Sequence, residues 1–226
     1  MTHFLYDLIV KAEIQPQNLV YHRPSDLARV IHFEIFKRAA SKEKKKHRIH
    51  VAEAFLRTIP LSTPKGVLPR DVLLDSAYDG NGAHVGADGL DDFSRMLFGA
   101  DGQLRKSYTD RVAPLTCYDR IAIVHSLNIH DAFMGEGIET SLMAHIINNF
   151  ANGCDFVAYQ AGFLTGHDVE DIQHEIEYWQ SLGFLSVYDG KNGALNEMVY
   201  ESQHNKFSDV RQKALLHRSV LQDQIS

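Results

Sequence analysis

Residues 120–161 read RIAIVHSLNIHDAFMGEGIETSLMAHIINNFANGCDFVAYQA. The run from Ile121 to Ile129 is apolar and strand-like, and His130-Asp131 breaks it with two polar residues. Gly135 and Gly137 follow, and Ile138 to Phe150 then holds an apolar period suited to a helix. Asn152-Gly153 turns the chain into a second apolar run, Cys154 to Tyr159. The order is strand, glycine turn, helix, strand. A glycine turn at a helix start bares backbone N–H groups and the positive end of the helix dipole, a place where a phosphate can sit.

Downstream, residues 162–168 read as a loop, and Asp168 is placed to cap a helix through Ile172, Ile176, Trp179 and Leu182 that stops at Gly183. Phe184 to Tyr188 and Met198 to Tyr200 read as two strands around a turn at residues 189–193. Phe207, Val210, Leu215, Val220 and Leu221 form an apolar stripe, so residues 205–226 are expected as an extra C-terminal helix that docks on the domain or forms a homodimer contact.

Upstream, Phe4 to Val10 is apolar, and Leu19 to Tyr21 looks like a brief strand. Leu27, Val30, Ile31, Ile35 and Phe36 fit helical spacing behind the capping residues Pro24, Ser25 and Asp26, so a helix is expected over 25–40. Val51, Ala54, Phe55 and Ile59 extend a second helix to Pro60. Residues 60–113 read as an irregular insertion: three prolines break its start, and residues 78–90 are rich in glycine and aspartate without calcium-loop spacing. Within it Val72 to Leu74 reads as a strand and Leu90 to Phe98 as a short helix, and one or two strands are expected between Gln103 and Tyr118. The whole chain, 1–226, reads as one α/β (α+β) domain with a mixed sheet.

The totals exclude some classes. The chain has 226 residues, 44% hydrophobic and 23% charged, with a net charge of −6 that gives no overall attraction to nucleic acid. Seven of the 23 basic residues lie between Lys37 and Arg48, a run that reads as a solvated face or as a landing site for phosphates on a cofactor or nucleic acid. Nucleic acid is not the favoured partner, because no aromatic residues interleave the run. Two cysteines make neither a disulfide framework nor a metal spacing, so a reducing, cytoplasmic location is expected. No signal peptide is visible and no run of about 18 apolar residues exists, so no membrane association is expected. His167 and His174 on one helix face stand about 10 Å apart, too far to share an ion, and no metal is expected.

The segment SLNIHDAFMGEGIETSLMAHII resembles the cofactor-binding core of the GNAT superfamily of N-acyltransferases (GCN5-related N-acetyltransferases). In that family a strand is followed by R/Q-x-x-G-x-G/A opening a long helix; here Met134-Gly135-Glu136-Gly137-Ile138-Glu139 takes the motif's place. A second block, EYWQSLGFLSV from Glu177 to Val187, is similar to the F-Y-E-K-L-G-F that the family writes at a later helix end. The two blocks cover Arg120 to Val187; upstream the likeness is one of pattern, two helices after a first strand. The resemblance implies a GNAT-like acyltransferase fold with an enlarged middle region. It implies acetyl-CoA, or another acyl-CoA, as donor and an amine as acceptor. The pantetheine arm would pair with Leu127, Asn128 and Ile129. Met134, Gly135, Glu136, Gly137, Ile138 and Thr140 would line the pyrophosphate site. His125 stands where the family often has a glutamate base, and Tyr178 lies next to Trp179, which occupies the position of the family's tyrosine acid. Met134 replaces the usual basic or amide residue, and Glu139 the usual small one.

Three functions follow from these residues. The first is transfer of an acyl group to an amine of a small molecule or protein. The second is a GNAT-like enzyme with another donor acting on nucleic acid, and the third is a non-catalytic binding module.

Overall fold

A computed structural model describes residues 6–13, 24–38, 48–77, 89–110, 118–161, 169–187 and 197–201. The expected helix over 205–226, the central lysines of the basic run and most of the glycine-rich loop lie outside the described residues. The strands are β1 (Tyr6–Glu13), β2 (Arg29–Arg38), β3 (Arg48–Pro60), β4 (Arg120–Ile129), β5 (Phe156–Gln160), β6 (Leu185–Ser186) and β7 (Glu197–Glu201). The helices are α1 (Pro69–Asp75), α2 (Leu90–Leu97), α3 (Lys106–Thr109), α4 (Ile138–Asn149) and α5 (Val169–Ser181), with 3-10 turns at Pro24–Leu27 and Asp131–Phe133. The strands form one mixed sheet in the order β1-β2-β3-β4-β5-β7-β6, antiparallel except where β4 and β5 run parallel.

A parallel pair needs a crossover, and α4 supplies it. Ile138, Leu142, Met143, Ile146 and Ile147 bury one side of α4 against Ile31, Phe33, Leu56, Val124 and Leu127 of the sheet, and Ile176 and Trp179 of α5 join the same core. Val72, Leu73, Phe93 and Leu97 of α1 and α2 cover the other face, over Ile59, Ile121, Ile123, Phe156 and Val199. The result is a three-layer α/β domain, as the strand–helix–strand reading of residues 120–161 requires.

The upstream expectations need correction. Residues 25–40 and 51–59 are not helices: they supply β2 and β3, a paired antiparallel ladder. In β2 the alternation Ile31, Phe33, Ile35 buries every second residue, and the same stretch that fits a period of 3.6 also fits a period of 2. Aromatic and β-branched residues decide the contest for the strand. Val72 to Leu74, expected as a strand, lies in α1 behind Pro69 at the helix start. Leu90 to Phe98 is α2 as expected, while residues 106–109 form a helical turn rather than a strand. The two helices expected after the first strand are absent there among the described residues, and the helical layer on that face comes from the segment between β3 and β4.

The feature that shapes the site is in β4. Phe55 of β3 pairs with His125, and Glu53 pairs with Asn128. Two steps along β3 thus match three along β4, so β4 carries one extra residue, and Ser126 there has φ 54°. This is a β-bulge. It changes the alternation: Ile121 and Ile123 face the α1–α2 core, Ala122 and Val124 face the α4 core, and beyond the bulge Leu127 and Ile129 return to the α4 core.

A left-handed backbone costs an L-residue about 1–2 kcal/mol, more when it is β-branched. Ser126→Val is therefore expected to be less stable than Ser126→Gly by at least about 1 kcal/mol in urea unfolding, the reverse of the order at an ordinary strand position. Equal stabilities would mean that the bulge does not persist in solution.

Candidate functional site

Pairing of β4 with β5 runs from Ile121–Phe156 to Val124–Tyr159 and stops there. Beyond it, Gln160 pairs with Glu197 of β7, and no described strand pairs with Leu127 to Ile129 on the β5 side. Among the described residues the β5-side edge of β4 beyond Val124 is therefore unpaired, while its other edge stays paired with β3. His130 N–H closes the strand by donating to Val51 O at 2.8 Å, and the 3-10 turn Asp131–Phe133 leads into Gly135 and Gly137, both in the left-handed region at φ 77° and 72°. Gly137 caps α4 without a side-chain hydrogen bond, so the first-turn N–H groups have no side-chain cap. A Cβ built on either glycine meets nothing within 4 Å. These glycines are needed for backbone conformation, and the space beside them is open.

The expected cofactor residues thus fall together. Asn128 is exposed and Leu127 and Ile129 are buried on the α4 face; Met134, Gly135 and Glu136 are exposed in the turn; Ile138 and Thr140 are buried at the helix start. Met134 is 48% exposed, the largest apolar surface near the turn. Lys37 at the end of β2 holds its ammonium 4.7 Å from the Phe133 ring, which brings one residue of the basic run to this turn.

Tyr178 of α5 reaches the same helix start. Its hydroxyl hydrogen-bonds to Thr140 Oγ1 and donates to Glu139 Oε1 at 3.4 Å. Behind it, Glu175 accepts from Tyr159 Oη at 2.6 Å and from Trp179 Nε1 at 3.2 Å. Trp179, at the position of the family's acid, is wholly buried and edges against Tyr159 and Phe184. Burial pushes the Glu139 carboxyl up, helped by the Glu175 charge and opposed by its own backbone N–H and by Tyr178. Burial and the Glu139 charge push the Tyr178 phenol above its ordinary value, so it is protonated at neutral pH.

His125, expected as the base, lies on the other face. It has no exposed surface, its Nε2 meets the Arg57 guanidinium, and its Nδ1 is 3.3 Å from Ser126 Oγ. Phe55 stacks on it at 5.6 Å and Phe93 edges it at 6.4 Å. Burial and then the Arg57 charge hold its pKa well below the ordinary value, so it is neutral. Arg57 donates to Ser76 Oγ at 3.0 Å and Ser76 O at 3.3 Å, and burial alone lowers it to about 9, which leaves it charged at neutral pH. The histidine is thus built into the core between β3, β4, α1 and α2. Sequence spacing showed its residue type and strand but not Arg57, 68 residues away.

A group that spacing missed stands beside it. His32, Phe55 and His125 occupy paired positions across β2, β3 and β4, with His32 and Phe55 stacked at 4.2 Å and 3°. Glu53, two residues before Phe55, approaches His32 Nε2 at 3.5 Å and accepts from Asn128 Nδ2 at 3.4 Å. These three side chains come from three strands, and only the register brings them together.

No family model and no curated protein matches this sequence. Three chains of solved structures match; one is a crystal structure of AtaTR bound with AcCoA, 12% identical over 87% of this chain and 95% of that chain, with a TM-score of 0.35. A likeness at that TM-score carries no argument about fold or activity. No described helix is long and apolar enough to cross a membrane.

Two outcomes follow from the buried groups. Glu139 binds its proton more tightly folded than unfolded, so its contribution to stability is complete below the unfolded pKa and is lost as pH rises through the raised folded value. Glu139→Gln is expected to raise Tm at pH 8 and to lose that advantage toward pH 4; an advantage independent of pH would exclude this origin. His125→Ala removes the ring that Arg57 and Phe55 pack against and is expected to cost about 2–4 kcal/mol in denaturant unfolding. A cost under about 1 kcal/mol would show that the ring is not part of the core.

Proposed function

We propose that this chain is an acyl-CoA-dependent N-acyltransferase that takes an acyl group, acetyl in the simplest case, from the CoA thioester to an amine. The observation that carries the reading is the end of β4. The bulge at Ser126 coincides with the end of β4–β5 pairing, and the β5-side edge of Leu127 to Ile129, unpaired among the described residues, leads directly into a glycine turn and a helix start. An unpaired strand edge suits the amides of a pantetheine arm. The turn from Gly135 to Thr140 suits its pyrophosphate, where a helix start supplies roughly 0.3–1 kcal/mol, up to about 2, for an anion. Lys37 holds its ammonium against Phe133 of this turn and stands in for the basic residue that Met134 does not provide.

The donor supplies a carbonyl carbon activated by a thiol leaving group. The protein's part is to orient it, admit the amine and manage protons. Tyr178 is the acid of this proposal. Its hydroxyl is held by Thr140 and Glu139 at the helix start, and it stays protonated until a stronger base, the departing thiolate, is beside it.

Glu139 is the observation that favours a second reading, a binding module of the same fold that takes no CoA. An ionised carboxylate about 6 Å from a phosphate charge repels it by roughly 3 kcal/mol at an effective dielectric of about 20, enough to cancel the helix start. Burial pushes the Glu139 carboxyl up, which weakens that repulsion and supports the donor reading.

Calorimetric titration with acetyl-CoA and CoA tests the reading. Both are expected to bind, acetyl-CoA several-fold more tightly in Glu139→Gln, and Tyr178→Phe is expected to keep binding while thiol release falls about tenfold or more. Absence of heat and of thermal stabilisation at millimolar acetyl-CoA would leave the binding module as the reading.

A further inference from the structure

Glu139 is the second residue of α4 and the acidic residue of that helix's first turn. A carboxylate at this position is ordinarily solvated and strengthens the helix. Glu139 is half-buried instead. Its Oε2 is buried without a hydrogen-bond partner, and its Oε1 accepts from Tyr178 Oη at 3.4 Å. The elements packed against it bring further acidic groups. From α5 come Tyr178 and the buried Glu175, and from β5 comes Tyr159, whose hydroxyl donates to Glu175 at 2.6 Å. The turn before α4 carries Glu136, which is exposed, and Lys37 of β2 reaches Phe133 of that turn. Glu175 accepts at least two hydrogen bonds, from Tyr159 and from Trp179 Nε1 at 3.2 Å. Glu139 has its own backbone N–H and the long contact with Tyr178. Of two buried carboxyl groups that feel each other's charge, the one with the poorer set of donors takes up a proton first.

We propose that the phosphate site at the start of α4 is proton-linked through Glu139, so that a phosphate-bearing ligand settles there together with a proton on that carboxyl. This rests on the acyl-CoA reading above. Ionised, Glu139 sets a negative charge against the positive end of α4 and holds the Tyr178 hydroxyl. Neutral, it leaves the first-turn N–H groups and the helix dipole to the ligand. Phosphate and proton therefore favour each other by the same factor. Two charges about 6 Å apart at an effective dielectric of about 20 set that factor at about 100 at most, and salt lowers it. Burial and then the Glu175 charge hold the carboxyl above its ordinary value, which moves the change of state toward neutral pH. The free carboxyl is neutral below that raised value and ionised above it. Affinity for the phosphate-bearing ligand is thus greatest at low pH and falls as pH rises through it. No bond to the ligand forms or breaks; up to one proton passes from solvent to Glu139 for each ligand bound.

Calorimetry between pH 5 and pH 8 tests the link. Acetyl-CoA is the anionic probe, and S-acetylpantetheine, with the arm and thioester but no phosphate, is the uncharged one. Histidines of the protein and phosphates of the ligand titrate in the same range. The quantity read is therefore the ratio of Kd in wild type to Kd in Glu139→Gln, from which those titrations cancel. For acetyl-CoA the ratio is expected near 1 at pH 5 and about tenfold at pH 8. In buffers of different ionisation enthalpy at pH 7, wild type is expected to take up more protons on binding than Glu139→Gln, by up to one per ligand. For S-acetylpantetheine the ratio is expected to stay near 1 throughout. Two further variants are expected to move the midpoint in opposite directions. Tyr178→Phe removes a donor to the carboxylate and shifts it to higher pH, whereas Glu175→Gln removes a like charge and shifts it to lower pH. A residue that acts only through packing would not respond in both directions. An acetyl-CoA ratio that does not change with pH, or equal proton uptake by wild type and Glu139→Gln, would overturn the link. A ratio that climbs equally for S-acetylpantetheine would show that Glu139 does not act on the phosphate. Failure of both proteins to bind acetyl-CoA at every pH would instead remove the acyl-CoA reading itself.

Discussion

One extra residue in β4 constrains everything around it. Without the bulge at Ser126, strict alternation would turn Leu127 and Ile129 out of the α4 core and put Asn128 into it. Burying an aliphatic side chain is worth about 1.5–3 kcal/mol, so two such losses outweigh the cost of about 1–2 kcal/mol for a left-handed serine. The bulge is the cheaper solution for this sequence. It also frees the strand end: pairing with β5 stops at Val124, and the backbone beyond it faces the gap that precedes the glycine turn. The core requirement and the opening of the site are the same local event.

The two faces of the sheet then take different polar loads. On the α4 face Tyr178 joins Thr140 and Glu139 at the helix start, and behind them Glu175 joins Tyr159 and Trp179. On the other face Arg57 and His125 are sealed beneath α1 and α2, while His32 and Glu53 on the same side of the sheet stay partly open. Neutral His125 beside charged Arg57 is the stable combination, since a second buried cation would lose both hydration and the ring nitrogen that Arg57 meets. A histidine can therefore have the right protonation state for a base and still be a structural residue, when what it lacks is access.

How much of this could be read from the chain varied with the range of the interactions. The strand, glycine turn, helix and second strand of residues 120–161 were legible because every signal is local: an apolar run, glycines where φ is positive, and a helical period. The helix through Trp179 and the hairpin after it were legible for the same reason. β2 and β3 were not, because Ile31 and Ile35 fit a helical stripe as well as the strand alternation Ile31, Phe33, Ile35, and only pairing across the sheet chooses between them. The residues expected to line the gap did come together around the turn. The environments of the proposed chemical groups were hidden. His125 was chosen by position without sight of Arg57, and the His32–Glu53–Asn128 set depends on a register fixed by β2, β3 and the bulge in β4.

The distribution of charge follows from the same geometry. Lys37 lies against Phe133, which belongs to the α4 core, and so stands on the side of the helix start. Glu34, Glu53 and His32 stand on the opposite face of the same strands. Each face carries both signs: Arg57 shares the far face with those carboxylates, and Glu139 and Glu175 share the α4 face with Lys37. At the end of β4 the β5-side edge of the sheet is unpaired among the described residues. The bulge, set by how many residues β4 has to fit, fixes where that unpaired edge begins.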